Sequence, residues 1–309
     1  MVIINYQLTY KKGNNMTQVL NVEHITKKIG TKLILDDVSF TIKEKEIVGF
    51  VGPNGAGKTT TFKMITNLLF ADKGVITVCD HGLIKERELA LACMSSIIEA
   101  PSLYANMSGI ENLRLIARLR KIKKEAINEI IDLIDIGLAI NRTVNTYSLG
   151  MKQRLMLGMC LLPKPRLLLL DEPTNGLDPT GSSEFRNTIK DYAREHKTAV
   201  LISSHLLHDL QQTCDRFIFI KDGKIIQESE NSAVEVYQIK TVHAQRLAQL
   251  IASASSVVPI IKNDDIIIKL DQDLSINQII NIIDHNQIMI KSITLVTDQI
   301  EEQYEELFL

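Results

Sequence analysis

Gly52-Pro53-Asn54-Gly55-Ala56-Gly57-Lys58-Thr59 fits the pattern G-x-x-x-x-G-K-[ST], and its flanks decide how the octet is read. The apolar run Ile47-Val48-Gly49-Phe50-Val51 enters it as a β-type segment, and Thr60 to Leu69 leads out as a helix. Gly52, Gly55 and Gly57 let the backbone turn tightly, so that its N–H groups converge on phosphate oxygens. The helix that follows offers the positive end of its dipole to the same anion. In this Walker A loop Lys58 brings charge to the β- and γ-phosphates and Thr59 brings a hydroxyl to Mg²⁺, while Pro53, Asn54, Ala56 and Thr60 complete the cradle. A functionless Gly-rich turn is the competing reading of the octet taken alone. The strand before it and the helix after it favour phosphate.

Outward from the loop the chain alternates strands and helices. Val19 to Ile42 reads as short β segments of an antiparallel region, with a turn at Lys27-Lys28-Ile29-Gly30, and Gly74 to Val78 as another strand. Residues 102–160 change to helical spacing, opened by Ser108 and Glu111 at capping-box separation. Leu167-Leu168-Leu169-Leu170, closed by Asp171-Glu172-Pro173, reads as a strand buried on both faces, as a parallel sheet requires. A core helix is the alternative for four leucines, but Pro163, Pro165 and Pro173 leave it too little length. Ser182 to Glu195 is a helix, Thr198 to Ile202 a strand, Leu206 to Cys214 a helix, and Arg216 to Ile226 a hairpin turning at Asp222-Gly223. This order sets the loop at the carboxyl end of a parallel sheet.

Beyond Glu230 the pattern restarts. Ala233 to Lys240 and Val257 to Ile261 read as strands around a helix carrying Ala244, Leu247, Ala248 and Ile251. The same order recurs with Ile266 to Leu270, a helix with Ile276, Ile279, Ile280 and Ile283, and Ile290 to Val296. Two such units predict a small ferredoxin-like α+β domain closed by an acidic helix from Asp298. The expected division is a flexible extension over 1–16, a nucleotide domain over 17–230 with a helical subdomain at about 95–160, and an accessory domain over 231–309.

The 309 residues are 45% hydrophobic and 23% charged, which suits about two globular domains. A formal net charge of -2 gives no basic face, so nucleic acid is not expected as a partner. Cys79, Cys93, Cys160 and Cys214 form no C-x-x-C pair, and neither a disulfide framework nor a metal site is expected from them. No apolar run reaches the ~18 residues of a spanning helix, and the first residues lack the order of a signal peptide.

The loop alone allows a kinase, a small GTPase, a helicase or a transporter ATPase. Asp171, at the end of its buried strand, has the place of a Walker B carboxylate that holds Mg²⁺, and Glu172 beside it the place of a base for the attacking water. His205 and His208 are three apart, but no third ligand is spaced to join them in a metal site. Tyr147-Ser148-Leu149-Gly150-Met151-Lys152-Gln153-Arg154 resembles the signature region of ATP-binding cassette (ABC) proteins. Asn175-Gly176-Leu177-Asp178-Pro179 resembles their D-loop and Ser203-Ser204-His205 their switch region, all in the family's order.

The resemblance implies an α/β P-loop NTPase fold of the ABC type, with a mixed sheet, an antiparallel β region and a helical subdomain. It implies ATP as substrate, Mg²⁺ as cofactor and a head-to-tail dimer in which Ser148 and Gly150 of one copy close the ATP site of the other. His205 would contact the γ-phosphate and Asp178 the second copy. Four positions depart from the family's usual form. Ile29 stands where an aromatic stacks on adenine, Glu99 where a Gln meets Mg²⁺ or water, and Leu149 and Met151 replace a Gly and the Gln of the signature. The Glu99 region and the Ser148-to-Leu155 stretch are similar to the subfamily that exports bacitracin and lantibiotic-type antimicrobial peptides. The function so implied is the ATPase of an exporter, peripheral at the cytoplasmic face of the membrane through a separate permease. A soluble cassette ATPase, or a switch module uncoupled from transport, is the alternative.

Overall fold

The structure, a computed structural model, describes residues 17–98, 103–231, 236–262, 265–270, 274–296 and 299–308. The expected N-terminal extension and Glu99 lie outside the described residues. Strands β1 (Gln18–Ile29) and β2 (Lys32–Lys43) form one long hairpin turning at Gly30, whose φ of 59° favours glycine. It replaces the three short strands expected there. Register shifts along β1, together with left-handed His24 and Asp37, break the apolar alternation that would have marked continuous strands.

Strand β3 (Ile47–Val51) feeds the loop and α1 (Lys58–Ile65) leaves it. This helix ends four residues before the expected Leu69, because Asn67 takes a left-handed φ of 58°. Next come β4 (Lys73–Val78), the two-residue β5 (His81–Gly82), α2 (Arg87–Ala92) and β6 (Met94–Ile97). Helices α3 (Gly109–Leu119), α4 (Glu125–Ile134) and α5 (Leu149–Leu161) follow, and the Ser108–Glu111 capping box opens α3. The chain then runs through β7 (Leu167–Asp171), α6 (Pro179–His196), β8 (Ala199–Ser203), α7 (Leu207–Thr213), β9 (Arg216–Lys221) and β10 (Lys224–Glu230).

The antiparallel sheet has the order β2-β1-β4-β5 and the mixed sheet β10-β9-β3-β8-β7-β6. In the mixed sheet β3 lies between parallel β8 and β9, and only β10 runs antiparallel. Side chains alternate across a strand, so β7 serves two cores at once. Leu168 and Leu170 join the cluster under α3 to α6, whereas Leu167 and Leu169 join the one shared with α1 and the antiparallel sheet. Each fully buried leucine contributes roughly 1.5–3 kcal/mol, which is why a two-sided strand tolerates no polar residue before Asp171.

The C-terminal region holds β11 (Val236–Thr241), α8 (Ala244–Ala254), β12 (Ile260–Lys262), β13 (Asp265–Lys269), α9 (Ile276–His285) and β14 (Ile290–Val296). Its sheet order, β12-β13-β11-β14 with antiparallel neighbours, is the ferredoxin-like plait that the repeated pattern predicts. Ile239, Leu247, Ile266 and Ile279 are fully buried in its own core. The last helix, α10 (Gln299–Phe308), does not close that core. It packs on the nucleotide domain, where Ile300 is buried with Leu210 and Phe219.

Candidate functional site

The loop between β3 and α1 stands at the carboxyl ends of the parallel strands, where open α/β sheets bind ligands. Two of its glycines are required by space as well as by turn geometry. A Cβ on Gly52 would lie 2.2 Å from the Ile220 carbonyl oxygen, and Gly57, at φ 112°, would press one onto Leu35 at 2.6 Å. Lys58 folds back over the loop and donates to the carbonyl oxygens of Gly52 (2.6 Å) and Pro53 (3.2 Å). Burial pulls its pKa below the ordinary lysine value, against the opposing fields of Glu172 and Asp171.

Asp171 is held from both sides. The Thr59 hydroxyl donates to its Oδ2 at 2.7 Å and the buried Ser203 hydroxyl to its Oδ1 at 2.6 Å. Glu172 adopts a left-handed φ of 52°, a strained conformation for a residue with a side chain. Its N–H is pinned by the Ser203 hydroxyl at 3.1 Å, and the strand-to-loop turn so made presents the carboxylate to His205. Glu172 Oε2 accepts from the His205 backbone N–H at 3.1 Å and lies 2.7 Å from His205 Nδ1. With a carboxylate as acceptor, that network assigns the proton to Nδ1 and leaves Nε2 free. His208 pairs instead with Gln212.

A pocket of about 310 Å³ is lined by Lys32, Ile34, Asn54, Gly55, Gly57, Lys58, Thr59, Thr60, Asp171 and Glu172. Ile29 is not among the residues lining it; it sits 53% exposed at the tip of the β1–β2 hairpin, opposite Lys32. Lys32 and Ile34 are therefore site residues that the motif reading missed, and nothing in their local sequence marks them. Ser203 was missed as a partner of Asp171, although its place at the end of a buried strand is a usable signal.

The remaining predicted residues gather elsewhere. Ser148, Gly150, Met151, Leu177, Asp178 and Gly181 line a second pocket of about 300 Å³, which shares no lining residue with the first. Ser148 caps α5, its hydroxyl accepting from Met151 N–H at 3.3 Å, and Asp178 is the N-cap residue of α6. Leu149, where the family carries glycine, is half exposed and lies over Gly176, whose absent side chain makes room for it.

The ABC transporter family matches residues 35–175. The ABC transporter ATP-binding protein YhcH of Bacillus subtilis is 37% identical over 295 residues, which cover 94% of this chain and 96% of that protein. The chain belongs to the ABC transporter ATP-binding proteins. Within that family, the bacitracin transport ATP-binding protein BcrA of Bacillus licheniformis is 38% identical over 69% of this chain and 70% of its own length. The lantibiotic transport ATP-binding protein SrtF of Streptococcus pyogenes is 36% identical over 70% of this chain and 93% of its own.

A solved ATP-binding subunit of an ABC transporter superposes with a TM-score of 0.64 at 26% identity, covering 69% of this chain and 90% of that one. The ADP conformation of an ABC transporter cassette superposes with a TM-score of 0.62 at 25% identity, covering 69% and 91%. The ABC protein described here is thus the ATP-hydrolysing subunit of a transporter, with the α/β fold and the resemblance read from its motifs both upheld. No helix among the described residues is long and apolar enough to cross a membrane, and as a transporter's ATP-binding subunit the chain implies a membrane partner.

Proposed function

We propose that two copies of this chain close head to tail on ATP and drive a separate transmembrane permease that exports an antimicrobial peptide or drug. The observation carrying the dimer is the division of the site residues between two pockets of one chain. Lys58, Thr59 and Asp171 stand in one, and Ser148, Gly150 and Asp178 in the other. Ser148 at the start of α5 suits an anion, since a helix N-terminus presents unpaired N–H groups. The γ-phosphate of ATP held by the second copy is the anion this reading assigns to it. The export reading, placed at the cytoplasmic face of the membrane, is supported by relatives whose names specify bacitracin and lantibiotic transport. Those names do not favour a soluble cassette ATPase or an uncoupled switch.

The donor set fits Mg²⁺: Thr59 Oγ1 and Asp171 Oδ2 are hard oxygen ligands 2.7 Å apart, facing the loop that would hold the phosphates. Thr59 and Asp171 would hold the ion, with Glu99 as a further donor, and its charge would be supplied to the β- and γ-phosphate oxygens. Lys58 leaves the Gly52 and Pro53 carbonyls for the phosphates. Glu172 receives the proton of the attacking water, and His205, through its free Nε2, contacts the γ-phosphate. At the base end Ile29 is the residue proposed from the family, while Ile34 and Lys32 offer an apolar wall and a cation without an aromatic stack.

We also assign residues 17–230 to the ATP-binding domain, with its helical subdomain at about 95–160, and 231–309 to an accessory domain. The test of the export reading is coexpression with a candidate multi-span permease in a sensitive bacterium. Raised resistance to bacitracin or a lantibiotic that disappears with Glu172→Gln is the expected result. Unchanged sensitivity across both compound classes with an assembled complex would contradict it.

A further inference from the structure

We propose that α10 is a positioning element of the ATPase site, holding α7 and through it His205. The inference rests on the role given to His205 above. Helix α7 begins two residues after His205 and has seven residues, too short to hold its own place by helix propensity. Its orientation must come from packing, to which Asn231 contributes by donating to the Gln211 and Cys214 carbonyls at 2.7 Å, and to which two helices contribute from opposite sides. From one side comes Arg186 of α6, buried to 7% exposure, which donates to Asp209, to Gln212 Oε1 at 2.9 Å and to Ser182 Oγ at 2.8 Å. From the other side comes α10. Ile300, 1% exposed, shares a core with Leu210 of α7, and the Phe308 ring lies 6.3 Å from Phe219 of β9.

Polar contacts lock the same helix in place. Lys221 donates to the Leu307 carbonyl at 2.9 Å, and Ser229 donates to Gln303 Oε1 at 2.9 Å. The consequence is topological. Helix α10 comes next in the chain after β14, the edge strand of the plait, so the chain that builds the accessory sheet also packs against α7. Ile300 and Phe308 thus act on the reaction without touching ATP.

The test is a double-mutant cycle in the full-length protein, with ATP affinity followed by a fluorescent ATP analogue and turnover by single-turnover hydrolysis. Ile300→Ala, and separately the half-buried Phe308→Ala, are expected to lower kcat about tenfold, as small misplacements of catalytic groups do, with the analogue's Kd unchanged. In a His205→Ala background the same substitutions are expected to cost nothing further. Equal losses in kcat and affinity, or full additivity with His205→Ala, would overturn the proposal. If His205→Ala alone leaves turnover intact, the site reading itself is wrong and the proposal falls with it.

Discussion

In the proposed site, a single backbone torsion at Glu172 sets the place of its carboxylate beside His205. Its left-handed φ costs about 1 kcal/mol or more, and the Ser203 contacts that hold it there also hold Asp171. Removing the carboxylate charge while keeping its shape isolates the base. Glu172→Gln is expected to slow hydrolysis by at least about 10²-fold, the usual scale of general-base assistance, with ATP still bound, and single-turnover kinetics measure it. Lys58 carries a pH signature. Burial lowers its pKa, and phosphate contact raises it, so binding takes up a proton in the window between the two values. ATP affinity is therefore expected to fall as pH rises through that alkaline window. A flat profile up to pH about 10.5, the ordinary lysine range, would count against the assignment. Cys93 is distinguished from its neighbours as well. A hydrogen bond from the Cys79 thiol brings its pKa down to about 7 against the pull of burial, whereas burial pushes Cys214 well up. Iodoacetamide near neutral pH is expected to label Cys93 first, its rate climbing through pH 7, as peptide mapping would read.

At the scale of elements, helices α6 and α7 are joined through the buried Arg186, with Ser182 and Lys190 adding bonds to Asp209 and to the Gln212 carbonyl. Arg186→Ala would leave the largely buried Asp209 with only the Ser182 hydroxyl as donor, a loss expected to cost about 2 kcal/mol in urea unfolding. The fold-bearing elements were legible where chemistry and period agree. The four leucines of β7, hemmed in by Pro163, Pro165 and Pro173, read as a two-faced strand, and the Ser108–Glu111 spacing announces α3 before its apolar stripe is complete. Legibility failed where tertiary contacts set the outcome. Met94-Ser95-Ser96-Ile97 has no strand pattern of its own and becomes β6 by pairing along β7. The partners of α10 lie far away in sequence, so its amphipathic pattern says that it must dock but not where. Lys32 and Ile34 enter the site because a hairpin folds over the loop, a fact of register that no motif encodes.

For the whole molecule, Asn54, Gly55, Gly57, Lys58, Thr59, Thr60 and Asp171 line one pocket, and Ser148, Gly150 and Asp178 line another. On the proposed head-to-tail reading these are two half-sites, and neither is complete without a second copy. The most direct test is the mass of Glu172→Gln in solution with and without Mg²⁺-ATP, by light scattering after size exclusion. A monomer without nucleotide and a dimer with it are expected, and a further Ser148→Arg substitution should abolish the dimer while nucleotide analogue binding persists. A protein that binds ATP tightly and stays monomeric, or whose dimer is indifferent to Ser148→Arg, would contradict it.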